Sequence, residues 1–121
     1  MRRSGEARQT TPDGSHAKLA IRDGGKTTFL RQEDIEWVDA AGDYMCVHAL
    51  GETHIMRNTM KALEAALTAD FLQRIHRSTI VNVRCVSEMR PHINGEYFLT
   101  LKGGHVVKLS RSYKHKLRYM Q

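Results

Sequence analysis

Turn signals recur along this chain too often for any long helix to form between them. Asp23-Gly24-Gly25, Ala41-Gly42, Gly51-Glu52, Asn94-Gly95 and Gly103-Gly104 each interrupt a run rich in apolar and β-branched residues. Glycine takes up positive φ without steric cost, and Asn-Gly or Asp-Gly between such runs signals a hairpin. The flanking segments Lys18–Arg22, Thr27–Arg31, Ile35–Ala40, Asp43–Leu50, Thr53–Arg57, Val86–Arg90, Glu96–Lys102 and His105–Leu109 therefore read as strands. Pro91 has no N–H to give a ladder, so the strand it follows either ends there or lies at a sheet edge. The expectation is a mostly β fold built from small antiparallel sheets.

Two stretches carry a helical pattern instead. Asn58 can cap a helix over about residues 59–67, where Met60, Leu63, Ala66 and Leu67 make one apolar stripe for packing on the sheets. Residues Ser110–Met120 read as a short basic helix capped by Ser110. Tyr113, Leu117 and Met120 would face the domain, and Lys114, Lys116 and Arg118 the solvent. Within Asp43–Leu50, Tyr44, Cys46 and His48 share one face, while Met45, Val47 and Ala49 share the other. Neither face is wholly polar, which suits a sheet covered on both sides. Residues 1–17 hold no Leu, Ile, Val or aromatic residue and cannot offset their ordering entropy by burial. They read as a flexible arm or linker, leaving residues 18–121 as one folded domain.

Charge narrows the partner. The formal net charge is +6 over 121 residues. Up to residue 83 the charges cancel, 11 basic against 11 acidic. The excess comes from Arg84, Arg90, Lys102, Lys108, Arg111, Lys114, Lys116 and Arg118, set against only Glu88 and Glu96. A polyanion, either nucleic acid or an anionic membrane surface, is the partner such a distribution suits. No apolar run approaches the roughly 18 residues of a membrane span, and no apolar stretch follows Arg2 and Arg3 as a secretory signal would require. Cys46 and Cys85 form no CxxC pair and fit reduced thiols in a cytoplasmic protein, with Cys46 a small buried hydrophobe. The seven histidines show no metal-ligand spacing, so neither a metal nor a cofactor is expected.

One stretch is more specific than any of this. Phe71-Leu72-Gln73-Arg74-Ile75-His76-Arg77-Ser78-Thr79-Ile80-Val81-Asn82, followed by a hairpin and then Leu109-Ser110-Arg111-Ser112-Tyr113, resembles the LytTR domain. This domain is the DNA-binding module of LytR/AlgR-type bacterial regulators. Upstream, Ile35-Glu36-Trp37-Val38-Asp39-Ala40-Ala41-Gly42-Asp43-Tyr44 and Arg57-Asn58-Thr59-Met60-Lys61-Ala62-Leu63-Glu64 are similar to further family segments in the same order. The departures are Trp37 for Tyr, Asp39 for Glu, Asp43 for Asn and Leu109 for Val. Asp43 matters most, because an acidic side chain on a DNA-facing loop repels phosphate.

The resemblance implies an elongated, almost all-β fold with two or three short helices, whose loops enter successive major grooves. It implies the output domain of a bacterial response regulator, acting on imperfect direct repeats in double-stranded DNA, with two copies on the site. Carried over residue by residue, Arg77 and Arg111 are the base-reading candidates, and the loop holding Asp43 and Tyr44 is a third contact region. His76 and Ser78 would mainly shape the Arg77 turn and touch phosphate at most, while Asn82 would cap the next turn. Lys114 and Lys116, with Arg118 and His115, would attract phosphates without reading sequence.

Two other readings compete with DNA binding. His76, Asn82 and His92 imitate the His-Asn-His order of small metal-dependent nucleases, but a strand and Pro91 follow where a helix is required. An RNA-binding basic β domain would expose stacking aromatics, whereas Tyr97 and Phe98 point to opposite faces of one strand. No nucleophile motif or phosphate loop is present, and the expectation is a non-enzymatic protein.

Overall fold

Ten strands in three antiparallel sheets make up most of residues 17–120, the part of the chain that the computed structural model describes. Strands β1 (Lys18–Asp23) and β2 (Lys26–Arg31) form a hairpin. Gly24 (φ 57°) and Gly25 (φ 84°) supply the two left-handed positions that its two-residue turn needs. Next come β3 (Ile35–Ala41), β4 (Tyr44–Ala49) and β5 (Glu52–Arg57), and then β6 (Leu72–His76) and β7 (Thr79–Asn82). These five assemble in the order β5-β4-β3-β7-β6. The last sheet, β10-β9-β8, is built from β8 (Val86–Pro91), β9 (Tyr97–Leu101) and β10 (Val106–Leu109). Pro91 indeed sits on an edge strand. The β1–β2 hairpin packs beside β5 and the three-stranded sheet beside β6, so the five-stranded sheet lies between them.

Alternation along the strands explains how two cores are filled. Leu72 and Ile80 join Ile35, Val38, Met45, Val47, Leu63 and Phe71 in one core. Ile75 and Val81 join Leu99, Leu101, Val107 and Leu109 in a second. The central sheet is therefore covered on both faces at its β6–β7 end, and each buried Leu or Ile contributes roughly 1.5–3 kcal/mol. At its other end only the Met45, Val47 and Ala49 face is buried. Cys46, on the opposite face, is half-buried rather than part of the core, and burial together with Asp39 raises its thiol pKa. Trp37 joins the sheets, its indole stacked between His48 (4.0 Å) and His105 (4.1 Å).

Four local expectations change. The turn after β3 is Gly42-Asp43 and not Ala41-Gly42, because Ala41 pairs directly with Tyr44. Helix α1 (Met60–Ala66) is capped by Thr59, whose side chain accepts from Ala62 N–H, and not by Asn58. Asn58 is still held by the sheet, its N–H reaching Asp43 O at 3.4 Å, so the helix starts one residue later. The turn after β4 is Leu50-Gly51, because Ala49 pairs directly with Glu52. The terminal segment Arg111–Met120 is a 3-10 helix broken at Tyr113, with Leu117 and Met120 resting on the second core. Shorter 3-10 turns cover Gln32–Asp34, Val83–Cys85 and Ile93–Gly95. The arm expected over residues 1–17 lies, save for Ala17, outside the described residues. Among those residues no helix is long and apolar enough to cross a membrane.

Candidate nucleic-acid interface

Three loops gather at one end of the central sheet because of how its strands pair. Strands β6 and β7 are joined by Arg77-Ser78, and β7 pairs with β3 from Thr79 opposite Asp39. Ala40 N–H donates to Ser78 O (3.0 Å), so β3 runs past the Arg77 turn into its own turn at Gly42-Asp43. The third loop arrives through a β-bulge between Arg74 and His76. There Ile75 C=O accepts from Ser110 N–H (2.8 Å), which sets Leu109-Ser110-Arg111 beside the Arg77 turn.

The Arg77 turn is closely held. Ser78 N–H donates to His76 Nδ1 (3.2 Å), and Ser78 Oγ lies 2.9 Å from the same nitrogen. Burial lowers the His76 pKa from its ordinary 6.5, and Lys108 and Arg77 push it the same way, with Glu96 opposing. The ring is thus kept neutral, with Nδ1 free to accept. Behind the turn, Arg74 donates from Nη2 to Arg77 O (2.7 Å), from Nε to His76 O (3.3 Å) and from Nη1 to Glu64 Oε1 (3.2 Å). Arg77 itself is exposed. Asn82 closes the far end of β7: it is buried, its Oδ1 accepts from Arg84 N–H, and its Nδ2 donates to Ile35 O.

Arg111 is also exposed, and its stem crosses Gly95, where a Cβ would lie 3.3 Å from Arg111 Cγ. Asn94, Glu96, Ser110 and Ser112 line a polar cleft of about 280 Å³ around it. The Gly42–Tyr44 turn is built differently. Asp43 is 80% exposed and only 4.0 Å from Arg57 Nη2, and the Arg57 guanidinium also lies 5.9 Å from the Tyr44 ring. Tyr44 is exposed at 45%.

The terminal segment departs from expectation at one lysine. Lys114, His115 and Arg118 are exposed, but Lys116 turns inward and donates to Gln73 Oε1 (2.6 Å). Gln73 is in turn fixed by its Nε2 donating to Asp70 O. Sequence reasoning did not find the roles of Arg74, Arg57 or Gln73. All three lie within the quoted family segments, Arg57 at the start of one and Gln73 beside Arg74 in another, but nothing there showed what each would hold.

The residues of the competing readings are otherwise occupied. Asn82 has both ends of its amide bonded in the interior, and His92 packs on Phe98 at 4.6 Å. Tyr97 packs against the second core, so neither aromatic stands free for base stacking.

Fold and loops together define an almost all-β domain that, among the described residues, presents its exposed arginines on loops and not on an α-helix. The LytTr DNA-binding domain family matches residues 25–121, and the chain belongs to that family. It is 32% identical to the sensory transduction protein LytT of Bacillus cereus over 84% of this chain and 41% of that protein. Against LytT of Bacillus subtilis it is 27% identical over 93% of this chain and 46% of that protein. The transcriptional regulatory protein LytR of Staphylococcus aureus is 23% identical over 78% of this chain and 39% of its own length. The chain thus spans less than half the length of these relatives. A solved LytTr DNA-binding domain from Bacillus cereus superposes with a TM-score of 0.73 at 22% identity, covering 85% of this chain and 94% of that one.

Proposed function

We propose that the chain binds duplex DNA sequence-specifically through loops in the major groove and serves as the non-enzymatic output module of a bacterial, cytoplasmic transcription regulator. One observation carries this reading: two exposed arginines, Arg77 and Arg111, stand on loops tied together by the Ile75–Ser110 hydrogen bond. The major groove is about 12 Å wide and presents a distinct donor and acceptor pattern for each base pair. A guanidinium there can pair bidentately with guanine O6 and N7, and this is the role assigned to both arginines. Tyr44 and Asp43 supply a third contact region, in which Arg57 offsets the carboxylate. His76 and Ser78 shape the Arg77 turn. Lys114 and Arg118 attract phosphates, and Lys116 contributes charge from its place beside Gln73. The regulatory role is in keeping with the names of the relatives, and two copies on imperfect direct repeats complete the proposal. Selection of bound sequences from a random duplex library tests it. Enrichment of a defined motif, with single-stranded RNA failing to compete at matched salt, is expected. Unenriched pools or RNA preference would overturn it.

A further inference from the structure

The β6–β7 turn holds more than its exposed arginine. Arg74 is one of the better-shielded arginines at this end, with its side chain 18% exposed, and its donors are spent on three different partners. Two are the carbonyls of His76 and Arg77, the very peptide groups that orient the exposed side chain. The third is Glu64 on α1, the helix that packs into the first core. The same guanidinium lies 5.9 Å from the Tyr113 ring, two residues beyond Arg111. The adjoining bulge gives the Ile75 carbonyl to Ser110. Both arginine-bearing loops are therefore referenced to one point of β6.

We infer that Arg74, anchored by Glu64, is a positioning residue that sets where Arg77 stands relative to Arg111 and so determines sequence discrimination without touching DNA. This rests on the base-reading role proposed for Arg77. The physical ground is geometric. A planar fork with five donors can span two carbonyls and a carboxylate at once, whereas an ammonium on a flexible stem cannot hold the same geometry. A bidentate contact to guanine tolerates little displacement, so a turn freed from its fork keeps its charge and loses its aim.

The test compares affinity for the selected duplex with affinity for a random duplex of equal length, across a salt series, for four variants. Arg74→Lys keeps the charge and is expected to lower the specific-to-random ratio on the order of tenfold, leaving random-duplex affinity and salt slope unchanged. Glu64→Ala removes only the anchor and should lower the ratio by roughly threefold. It serves as the readout if Arg74→Lys misfolds by circular dichroism. Combining Arg74→Lys with Arg77→Ala should add nothing to the loss from Arg77→Ala alone, because the fork acts through that side chain. Equal losses on both duplexes, or an additive double variant, would overturn the positioning role while leaving Arg77 as a reader. An unchanged ratio in Arg77→Ala would overturn both.

Discussion

The two turns at the loop-bearing end of the central sheet are neighbours in space and opposites in construction. The Arg77 turn is fixed by the His76–Ser78 hydrogen bonds and by two bonds from Arg74 to its carbonyls. Beyond its strand pairing, the Gly42–Tyr44 turn has one long backbone bond, from Asn58 N–H to Asp43 O at 3.4 Å, and one ion pair of 4.0 Å between side chains that are 74% and 80% exposed. A pre-ordered loop loses little entropy on binding and can hold a directional contact to a base edge. An exposed loop steadied mainly by charge suits the less directional phosphate backbone. The contrast separates aim from attraction, and it places the exposed carboxylate of Asp43 on the loop where direction matters less.

Removing the base of the well-held turn should break the comparison most severely. Asn82→Ala leaves Ile35 O and Arg84 N–H without their partner, so a loss of about 3 kcal/mol is expected in denaturant unfolding. A loss well under 1 kcal/mol would show that the hairpin does not depend on this amide. Next in size, Arg77→Ala should lower discrimination by about 2 kcal/mol, close to thirtyfold, with little change on random DNA. Tyr44→Ala, on the looser turn, should instead weaken both duplexes alike. If the two variants behave the same way, the division between the turns fails.

Smaller effects sharpen the contrast. Asp43→Asn should tighten binding to specific and random duplexes together, on the order of two- to threefold and less at high salt. Tightening confined to the specific site would make Asp43 a reader rather than a source of repulsion. The smallest effect concerns His76. Its folded pKa is depressed, so the unfolded chain takes up the proton first as pH falls below about 6.5. The His76 contribution to stability is therefore complete above that value and declines below it, until the folded ring is protonated as well. Thermal midpoints followed from neutral to mildly acidic pH should fall less steeply in His76→Asn than in the parent chain. Parallel curves would assign the decline to other groups.

What could be read from the residues beforehand follows the range of the interactions. Asp23-Gly24-Gly25 and Asn94-Gly95 announced their turns because positive φ is a property of a few adjacent residues. Asn82 could be assigned as a cap for the same reason, since its bond to Arg84 N–H spans two positions. The choice of Thr59 over Asn58 could not be made locally: both residues are able caps, and a sheet contact to Asp43 decided between them. Lys116 read as a solvent-facing charge because nothing near it in sequence hinted at Gln73. The Glu64 partner of Arg74 was hidden likewise, on a helix ten residues earlier. Motif resemblance marked which loops matter; tertiary contacts decide how firmly each is held.

The indole of Trp37, stacked between His48 on the same sheet and His105 from the last one, has a practical consequence. It is the sole tryptophan of the chain. Its emission therefore arises from one place, beside the second core where the five-stranded sheet meets the loop leading into β10. Separation of the three-stranded sheet would take the His105 imidazole off the ring and admit water, while opening of the β1–β2 hairpin alone would leave the stack intact. The protein carries its own optical gauge of whether its two halves are docked.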